Sequence, residues 1–248
     1  MIKLAQIIIL NVPQREGEGK YLKKLIEVSA KPFGIPVSIS MDRGLGLWDN
    51  FSQALTQEVA EGTHRMIIHD DITFDRNILE KILYILERAP EHNPISVYNP
   101  NNGDYTDAYA KGAHVIATKT NFWLQACIYP NGLAKDFVET SNRMTDDQTR
   151  YDDSRLKAFL QHKNINLYAI CPCLVQHMGA YRSTFGNPGS VGGIQRNSAT
   201  YDNQFDVTKV NWEQEFKTPY LAKSTKDWVK EKARGNERYG IFASSNAA

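Results

Sequence analysis

Two adjacent carboxylates, Asp70 and Asp71, directly follow the apolar run Met66–Ile68 and a histidine, His69. A short apolar run with a helical pattern soon after it predicts a buried strand, which would deliver both acids to the edge of a sheet. Open α/β sheets bind ligands at that edge. Two ionised acids side by side need a positive charge, and a divalent cation holding a phosphorylated ligand is a common source. A solvated turn or a helix cap is the alternative interpretation.

Two further polar groups lie at predicted ends of elements. Asp152 and Asp153 open a predicted helix, where acids in the first turn are favoured, so ordinary capping competes with a chemical role. His177 follows the run 172–175, which predicts a strand. A lone histidine after an apolar run can be a structural residue or a ligand, and both interpretations stay open.

The elements that would position these groups alternate along the chain. The continuous apolar run Ile7–Leu10 predicts a central strand buried on both faces, and helical spacing follows over 21–30. Residues 35–41 alternate apolar and polar as a strand does, and a helix with Asn50 as its cap is predicted to run to Val59. The strand that carries Asp70 and Asp71 comes next. This order predicts a parallel sheet with right-handed crossovers.

The rest of the chain is less regular. A periodic helix is predicted at 78–86 and short strands at 95–98, 113–118 and 166–169, with loops over most of 93–107 and either helix or strand at 121–129. The glycine-rich stretch 179–193 is typical of a flexible loop that acts as a lid or is disordered. A basic tail, 217–238, contains Trp228 and would cover the domain edge or hold a partner.

Composition limits the classes of protein to which the chain can belong. A length of 248 residues fits one large α/β domain or two small ones, and a net charge of +1 does not favour nonspecific nucleic-acid binding. The three cysteines, Cys127, Cys171 and Cys173, make a disulfide framework or a zinc site improbable. The first residues predict neither a signal peptide nor a membrane anchor. We therefore expect a cytoplasmic protein without an integral membrane segment.

The order of the three clusters, His69-Asp70-Asp71, Tyr151-Asp152-Asp153 and Gln176-His177, resembles that of the GT-A glycosyltransferases, family-2-like enzymes that use nucleotide sugars. The resemblance extends to phage enzymes that glycosylate DNA. It implies an α/β fold with a Rossmann-like, mostly parallel sheet flanked by helices. The GT-A catalytic domain would span 1–185, and 186–248 would be a flexible loop and a C-terminal extension packed on the same domain.

The resemblance also assigns roles to residues. Asp71 maps onto the principal metal ligand and Asp70 onto its neighbour, with His69 in the place of the first acid of the motif. His177 would complete the site, and a set of imidazole and carboxylates suits Mn²⁺, with Mg²⁺ as the other cation expected. The nucleotide would be held at the N-terminal edge by residues that match the family in position: Pro13, Arg15, Asp42, Trp48 and Asn50, together with Asp70.

Catalysis in inverting members of that family needs an acid at the mouth of a helix to take the proton from the acceptor hydroxyl. Asp153 matches this position, and Asp152 is the second candidate. A carboxylate within hydrogen-bond reach lets the hydroxyl attack the anomeric carbon as its proton leaves. The glycine-rich stretch after His177 corresponds to the loop that closes on the donor and excludes water.

The resemblance implies hexosyl or pentosyl transfer from a nucleotide sugar, with a UDP-sugar as the expected donor. The acceptor would be a saccharide, a lipid-linked intermediate or a hydroxylated DNA base. Two alternatives stay open: a nucleotidyltransferase acting on a sugar phosphate, and a noncatalytic nucleotide-sugar-binding module. The first usually has a basic, glycine-rich phosphate loop after the first strand, and 15–20 is a poor match because it contains two acids.

Overall fold

The first strand lies in the interior of a large sheet, and the other elements are arranged around it. The computed structural model describes residues 3–100, 102–120, 122–144, 151–178, 197–198 and 200–233. The predicted glycine-rich loop lies outside these residues, as do positions 234–238 of the basic tail. The described strands are β1 (Lys3–Asn11), β2 (Val37–Met41), β3 (Thr63–His69), β4 (Ile72–Phe74), β5 (Ile95–Ser96), β6 (Val115–Thr118), β7 (Ala126–Pro130), β8 (Leu167–Ile170), β9 (Val175–His177) and β10 (Tyr220–Leu221).

Helices cover both faces of this sheet. In the described part of the chain they are α1 (Glu16–Ala30), α2 (Leu47–Thr56), α3 (Ile78–Leu86), α4 (Gly103–Ala110), α5 (Asn131–Ser141), α6 (Asp152–Lys163), α7 (Trp212–Lys217) and α8 (Lys223–Ala233). None of them combines the length and the apolar composition needed to cross a membrane.

The main sheet has eight strands in the order β10-β6-β8-β5-β7-β3-β1-β2. Strands β1, β2, β3, β5 and β8 run in one direction, and β6, β7 and β10 run in the other. The predicted α/β class, with a mostly parallel sheet flanked by helices, is confirmed. Strands β4 and β9 form a separate antiparallel pair.

Successive side chains of β1 point to opposite faces of the sheet, and helices cover both faces. Ile7 and Ile9 face the core that contains α1 and α3, whereas Ile8 and Leu10 face the core that contains α2, α5 and α6. All four side chains are buried, and full burial of such a side chain contributes about 1.5 to 3 kcal/mol. The continuous apolar run therefore places β1 between two helical layers, as the sequence predicts.

The first three strands end at the same edge of the sheet. Asn11 pairs with Met41 of β2, and Leu10 pairs with His69 of β3, all in parallel register. The residues that follow each strand therefore meet there. The antiparallel pair adds one more group, because its register sets Ile72 opposite His177.

Several predicted boundaries are wrong. Helix α2 begins at Leu47 and not after Asn50, which lies inside the first turn and donates to the carbonyls of Asn11 and Ser40. Helix α4 lies in the stretch expected to be loop; Asn102 caps it by accepting a hydrogen bond from the Asp104 N–H. In the ambiguous stretch 121–129 the strand begins only at Ala126.

Helix α1 approaches β1 closely at one glycine. A Cβ placed on Gly19 would lie 1.9 Å from Nδ2 of Asn11, whereas a Cβ on Gly17 would meet nothing within 4 Å. Both glycines are helical residues and do not form a phosphate loop. Asn11 is buried and its Oδ1 accepts a hydrogen bond from the Val12 N–H at 2.8 Å, so it cannot move aside without losing that bond.

We therefore predict opposite results for two matched substitutions in α1. Gly19→Ala should lower the free energy of unfolding by about 1 to 3 kcal/mol, because the new methyl group overlaps Asn11. Gly17→Ala should leave it unchanged or raise it by up to about 1 kcal/mol, because alanine favours the helix. Urea unfolding of both variants checks this, and equal effects at the two positions would contradict the close approach.

Candidate active site

Four ionisable side chains meet at the edge where β1 and β3 end. Nη1 of Arg15 lies 3.0 Å from Oδ1 of Asp70 and 3.4 Å from Oδ2 of Asp71. Nε2 of His177 lies 3.2 Å from that same Oδ2 of Asp71. We call Arg15, Asp70, Asp71 and His177 the charge cluster.

Local backbone structure explains how the cluster forms. A short 3-10 turn at Pro13–Arg15 follows β1 and brings Arg15 toward the neighbouring strand. Asp70 and Asp71 form the turn between β3 and β4, and pairing of β4 with β9 brings His177 beside them. The Met178 N–H donates to the Asp71 carbonyl at 2.7 Å, which extends this pairing by one bond.

The two acids have opposite pKa shifts. Burial raises the pKa of Asp70 to about 7, with the adjacent Asp71 adding to the rise and Arg15 opposing it. Burial alone would raise the pKa of Asp71 too. The hydrogen bond from His177 and the charges of His69, His177 and Arg15 outweigh burial and hold its pKa well below the usual range. Asp71 is therefore the fixed negative charge of the cluster at neutral pH.

The cluster leaves acceptors without hydrogen-bond partners among the described residues. Oδ2 of Asp70, Oδ1 of Asp71 and Nδ1 of His177 are buried and unpartnered. Buried polar atoms of this kind are rare unless an ion, a water or a ligand completes them. Carboxylate oxygens and an imidazole nitrogen are ligands that fit a divalent cation.

The protein alone supplies only part of such a cation site. Across the described ranges, no three His, Cys, Asp or Glu side chains are grouped so that they could hold a metal ion. Mg²⁺ is commonly bound by one or two carboxylates and completed by water and substrate phosphates. The residues present therefore fit a cation that arrives with a phosphorylated ligand rather than one held in a closed protein cage.

A small cleft of about 20 Å³ lies beside the charge cluster and is lined by several residues predicted to bind the nucleotide. Arg15, Asp42, Asn50 and Asp70 line it together, which no single stretch of sequence could show. Asp42 accepts a hydrogen bond from the Gly44 N–H at 2.9 Å, and Asn50 spans β1 and β2. The complete lining is Leu10, Asn11, Val12, Arg15, Asp42, Leu47, Asn50, His69 and Asp70.

A second acidic group lies on the other side of His69. Nε2 of His69 is 3.9 Å from Oδ2 of Asp152, the first residue of α6. Asp152 is buried, and burial together with the charge of Asp153 raises its pKa to about 7. Because the charge of His69 also lowers the pKa of Asp71, this imidazole lies between the charge cluster and the start of α6.

Asp153 is half-buried, and its hydrogen bonds stay within its own helix. Its Oδ1 accepts from the Ser154 N–H at 2.7 Å, and burial raises its pKa. No hydrogen bond or ion pair between described residues joins it to Asp71 or His177. The structure thus connects Asp71 with His177 directly and with Asp152 only through His69.

Two residues predicted to contact the nucleotide, Pro13 and Trp48, are not among the residues that line this cleft. Pro13 is exposed at the start of the 3-10 turn. Trp48 packs against Phe137, with ring centroids 5.6 Å apart, and the Arg155 guanidinium lies 4.7 Å from its ring. Neither is part of the cleft lining described above.

Sequence reasoning did not single out Asn11 as a site residue, although it lines the cleft. The signal was available, because Asn11 is the first polar residue after the run Ile7–Leu10. His69 was noted as the residue that replaces a family acid, but its contact with Asp152 joins positions 83 apart in the chain and has no local signature.

We predict that Asp152 makes stability depend on pH. A carboxyl whose pKa rises on folding stabilises the protein below its unfolded pKa, and this contribution is lost as the pH rises through the folded pKa. The free energy of unfolding should therefore fall between pH 4 and pH 7 by about 3 kcal/mol more in the wild type than in Asp152→Asn. Asp71 should not mask this, because its lowered pKa acts below pH 4.

Urea unfolding at several pH values measures the difference between the two proteins. The surface variant Asp107→Asn serves as the control and should follow the wild type, since Asp107 is exposed in α4. Parallel pH dependence of the wild type and Asp152→Asn would show that Asp152 is not a buried acid with a raised pKa.

Comparison with known proteins adds little to these observations. No family model matches the sequence, and no curated protein matches it significantly. Among solved structures, the chain is similar to a glycosyltransferase involved in glycosylation of the major capsid of PBCV-1, with 12% identity, 71% of this chain and 94% of that chain covered, and a TM-score of 0.45. It is also similar to the inositol-1-phosphate CTP transferase from T. maritima, with 8% identity, 88% and 98% covered, and a TM-score of 0.38. At these TM-scores the likeness is too loose to assign an activity to this chain.

Proposed function

We propose that the protein is a metal-dependent glycosyltransferase that moves a sugar from a nucleotide-sugar donor to an acceptor hydroxyl. The observation that carries this proposal is the charge cluster at the edge of β1 and β3, beside a polar cleft. Asp70, Asp71 and His177 of this cluster belong to the motifs on which the resemblance to GT-A enzymes rests.

The charges of the cluster suit a diphosphate with a cation. Asp71 keeps its negative charge at neutral pH, and its Oδ1 has no partner in the described part of the protein. Asp71 and His177 would hold Mn²⁺ or Mg²⁺, which supplies positive charge against the departing diphosphate when bound. Arg15 now neutralises the two acids, and a cation there would leave its guanidinium able to pair with a phosphate oxygen.

Two polar side chains of the cleft lining are of the kinds that contact a nucleoside. Asp42 offers a carboxylate and Asn11 an amide nitrogen without a partner among the described residues, whereas the Asn50 side chain already bonds Asn11 and Ser40. Carboxylates and amides are the groups that hydrogen-bond a ribose and the edge of a base. We propose that the nucleoside of the donor binds against this lining and that the donor is a UDP-sugar.

The start of α6 supplies the candidate general base. Asp153 is more accessible than the fully buried Asp152, so Asp153 is the carboxylate that can reach an acceptor hydroxyl. Its pKa is raised by burial, which brings it toward the range in which a carboxylate accepts a proton efficiently. Attack assisted by such a base inverts the configuration at the anomeric carbon. Asp152, behind it, is the second candidate.

For the acceptor we propose a saccharide or a hydroxylated DNA base in the cytoplasm. All three cysteines are buried free thiols, which suits a reducing compartment. A gel shift with modified and plain DNA distinguishes the two acceptors, because only the DNA acceptor predicts binding that weakens as salt rises.

We predict that Asp71→Asn lowers the rate of nucleotide release at least about 100-fold, since it removes the fixed charge that holds the cation. The assay follows release from UDP-, GDP-, CMP- and dTDP-sugars with Mn²⁺ and acceptor present. Asp107→Asn, an exposed substitution of the same type, should keep the wild-type rate.

Three results would contradict the proposal. Absence of release from any donor with Mn²⁺ argues against sugar transfer. Pyrophosphate release from a nucleoside triphosphate and a sugar phosphate would instead identify a nucleotidyltransferase. Donor binding without turnover, unchanged in Asp71→Asn, would identify a noncatalytic binding module.

A further inference from the structure

A second cavity lies at the opposite end of β3 from the charge cluster. It has a volume of about 330 Å³, within the range of sites that take small molecules. His64 and Asp70 are six positions apart along β3 and the residue that follows it, which corresponds to about 20 Å. The cavity is therefore distinct from the cleft at the other edge. Its lining is Gly62, Thr63, His64, Glu91, His92, Pro130, Asn131, Gly132 and Leu133.

The His64 ring is a buried polar group on the wall of this cavity. Only 2% of the residue is exposed, and neither ring nitrogen has a hydrogen bond of good geometry to the described residues. The Glu91 backbone lies close enough to raise the pKa of His64, but it can engage one ring nitrogen at most. At least one nitrogen therefore has no hydrogen-bond partner among the described residues. Burial outweighs Glu91 and lowers the pKa, so the ring is neutral at pH 7, with one nitrogen that donates and one that accepts.

The first turn of α5 forms the adjoining wall. Its N-cap is Pro130, which makes no side-chain cap, and the first turn contains no acidic residue. The first N–H groups of a helix have no acceptor within the helix and carry its partial positive charge. Gly132 and Leu133, whose N–H groups belong to this turn, line the cavity. An anion is the ligand that such a turn favours.

A buried guanidinium strengthens the positive potential at this point. Arg65 is fully buried and donates to the Asn131 side chain and to carbonyl groups at the end of α2, those of Ala54, Leu55 and Gln57. No carboxylate of the described residues forms an ion pair with it. Its positive charge therefore lies directly behind the first residue of α5. The opposing charge is that of Glu91, which is exposed and screened by solvent.

We propose that this cavity binds the phosphate group of a small phosphorylated molecule, held by the first N–H groups of α5 and by the His64 ring. The cavity is larger than a bare phosphate needs, so the ligand is a phosphomonoester with a body about the size of a monosaccharide. This site is independent of the function proposed above, because it shares no residue with the cleft or the charge cluster.

Thermal unfolding with ligand tests the site, since a ligand that binds only the folded state raises the midpoint. Inorganic phosphate and glucose 6-phosphate are compared with chloride at equal ionic strength, with EDTA present to remove cations. We expect both to raise the midpoint, glucose 6-phosphate at the lower concentration. A response to neither overturns the proposal, and a response to inorganic phosphate alone overturns the phosphomonoester.

Gly132 offers a matched pair of variants. Proline is tolerated in the first turn of a helix and removes one N–H, whereas alanine keeps it, and a Cβ at this position meets nothing within 4 Å. Gly132→Pro should weaken glucose 6-phosphate binding at least about 10-fold, and Gly132→Ala should keep it. Midpoints without ligand verify that both variants fold, and equal binding by the two would overturn the role of α5.

Two further variants assign the remaining groups. His64→Leu should also weaken binding about 10-fold, whereas Glu91→Gln should strengthen it several-fold by removing the opposing charge. The double variant Arg15→Ala with Asp71→Asn disables the other site and should leave the response unchanged. Loss of the response in that double variant would place phosphate at the charge cluster and overturn the proposal, whatever sugar-transfer assays show.

Discussion

Compensation of buried negative charge determines the arrangement of this molecule's polar edge. Asp70 and Asp71 are adjacent and almost fully buried, which is unfavourable for two carboxylates unless positive groups surround them. Arg15 comes from the turn after β1, and His177 comes from a strand more than a hundred residues later. Three segments of the chain are therefore held at one point by electrostatics. At neutral pH the negative charge of this pair is carried by Asp71, because Asp70 is the acid whose pKa is raised.

Hydrophobic patterning made the centre of the fold predictable. The run Ile7–Leu10 required burial on both faces, and the alternation of strands and helices up to Asp71 required a parallel arrangement. Local patterns failed where tertiary packing decided the structure. Helix α4 contains poor helix formers but buries Tyr105 and Ala108. Helix α5 begins at Asn131 and Gly132, directly after Pro130, although these residues are typical of a turn. There the residues of a turn serve as the start of a helix.

The candidate site was predictable to the extent that it depends on strand ends. Arg15, Asp42 and Asp70 each follow a predicted strand, and parallel strands end at one edge, so their meeting in one cleft follows from topology. The spatial contacts of Asp152 and Trp48 could not be predicted from the topology of the strands. Asp152 faces His69, and Trp48 packs on Arg155 and Phe137, because helices α2, α5 and α6 pack together on one face of the sheet. Distances of that kind depend on helix packing, which sequence spacing does not encode.

The pairing of β4 with β9 has a thermodynamic consequence. A two-stranded ribbon is marginally stable by itself, and this one joins the main sheet through the turn that contains Asp70 and Asp71. Any ligand that engages Asp71 and His177 together would tie the ribbon to the sheet, so occupancy and local opening of β9 are linked equilibria. Amide hydrogens of Gln176 and His177 would then exchange more slowly as the ligand concentration rises. Binding of a ligand between Asp71 and His177 is thus coupled to the local stability of the ribbon formed by β4 and β9.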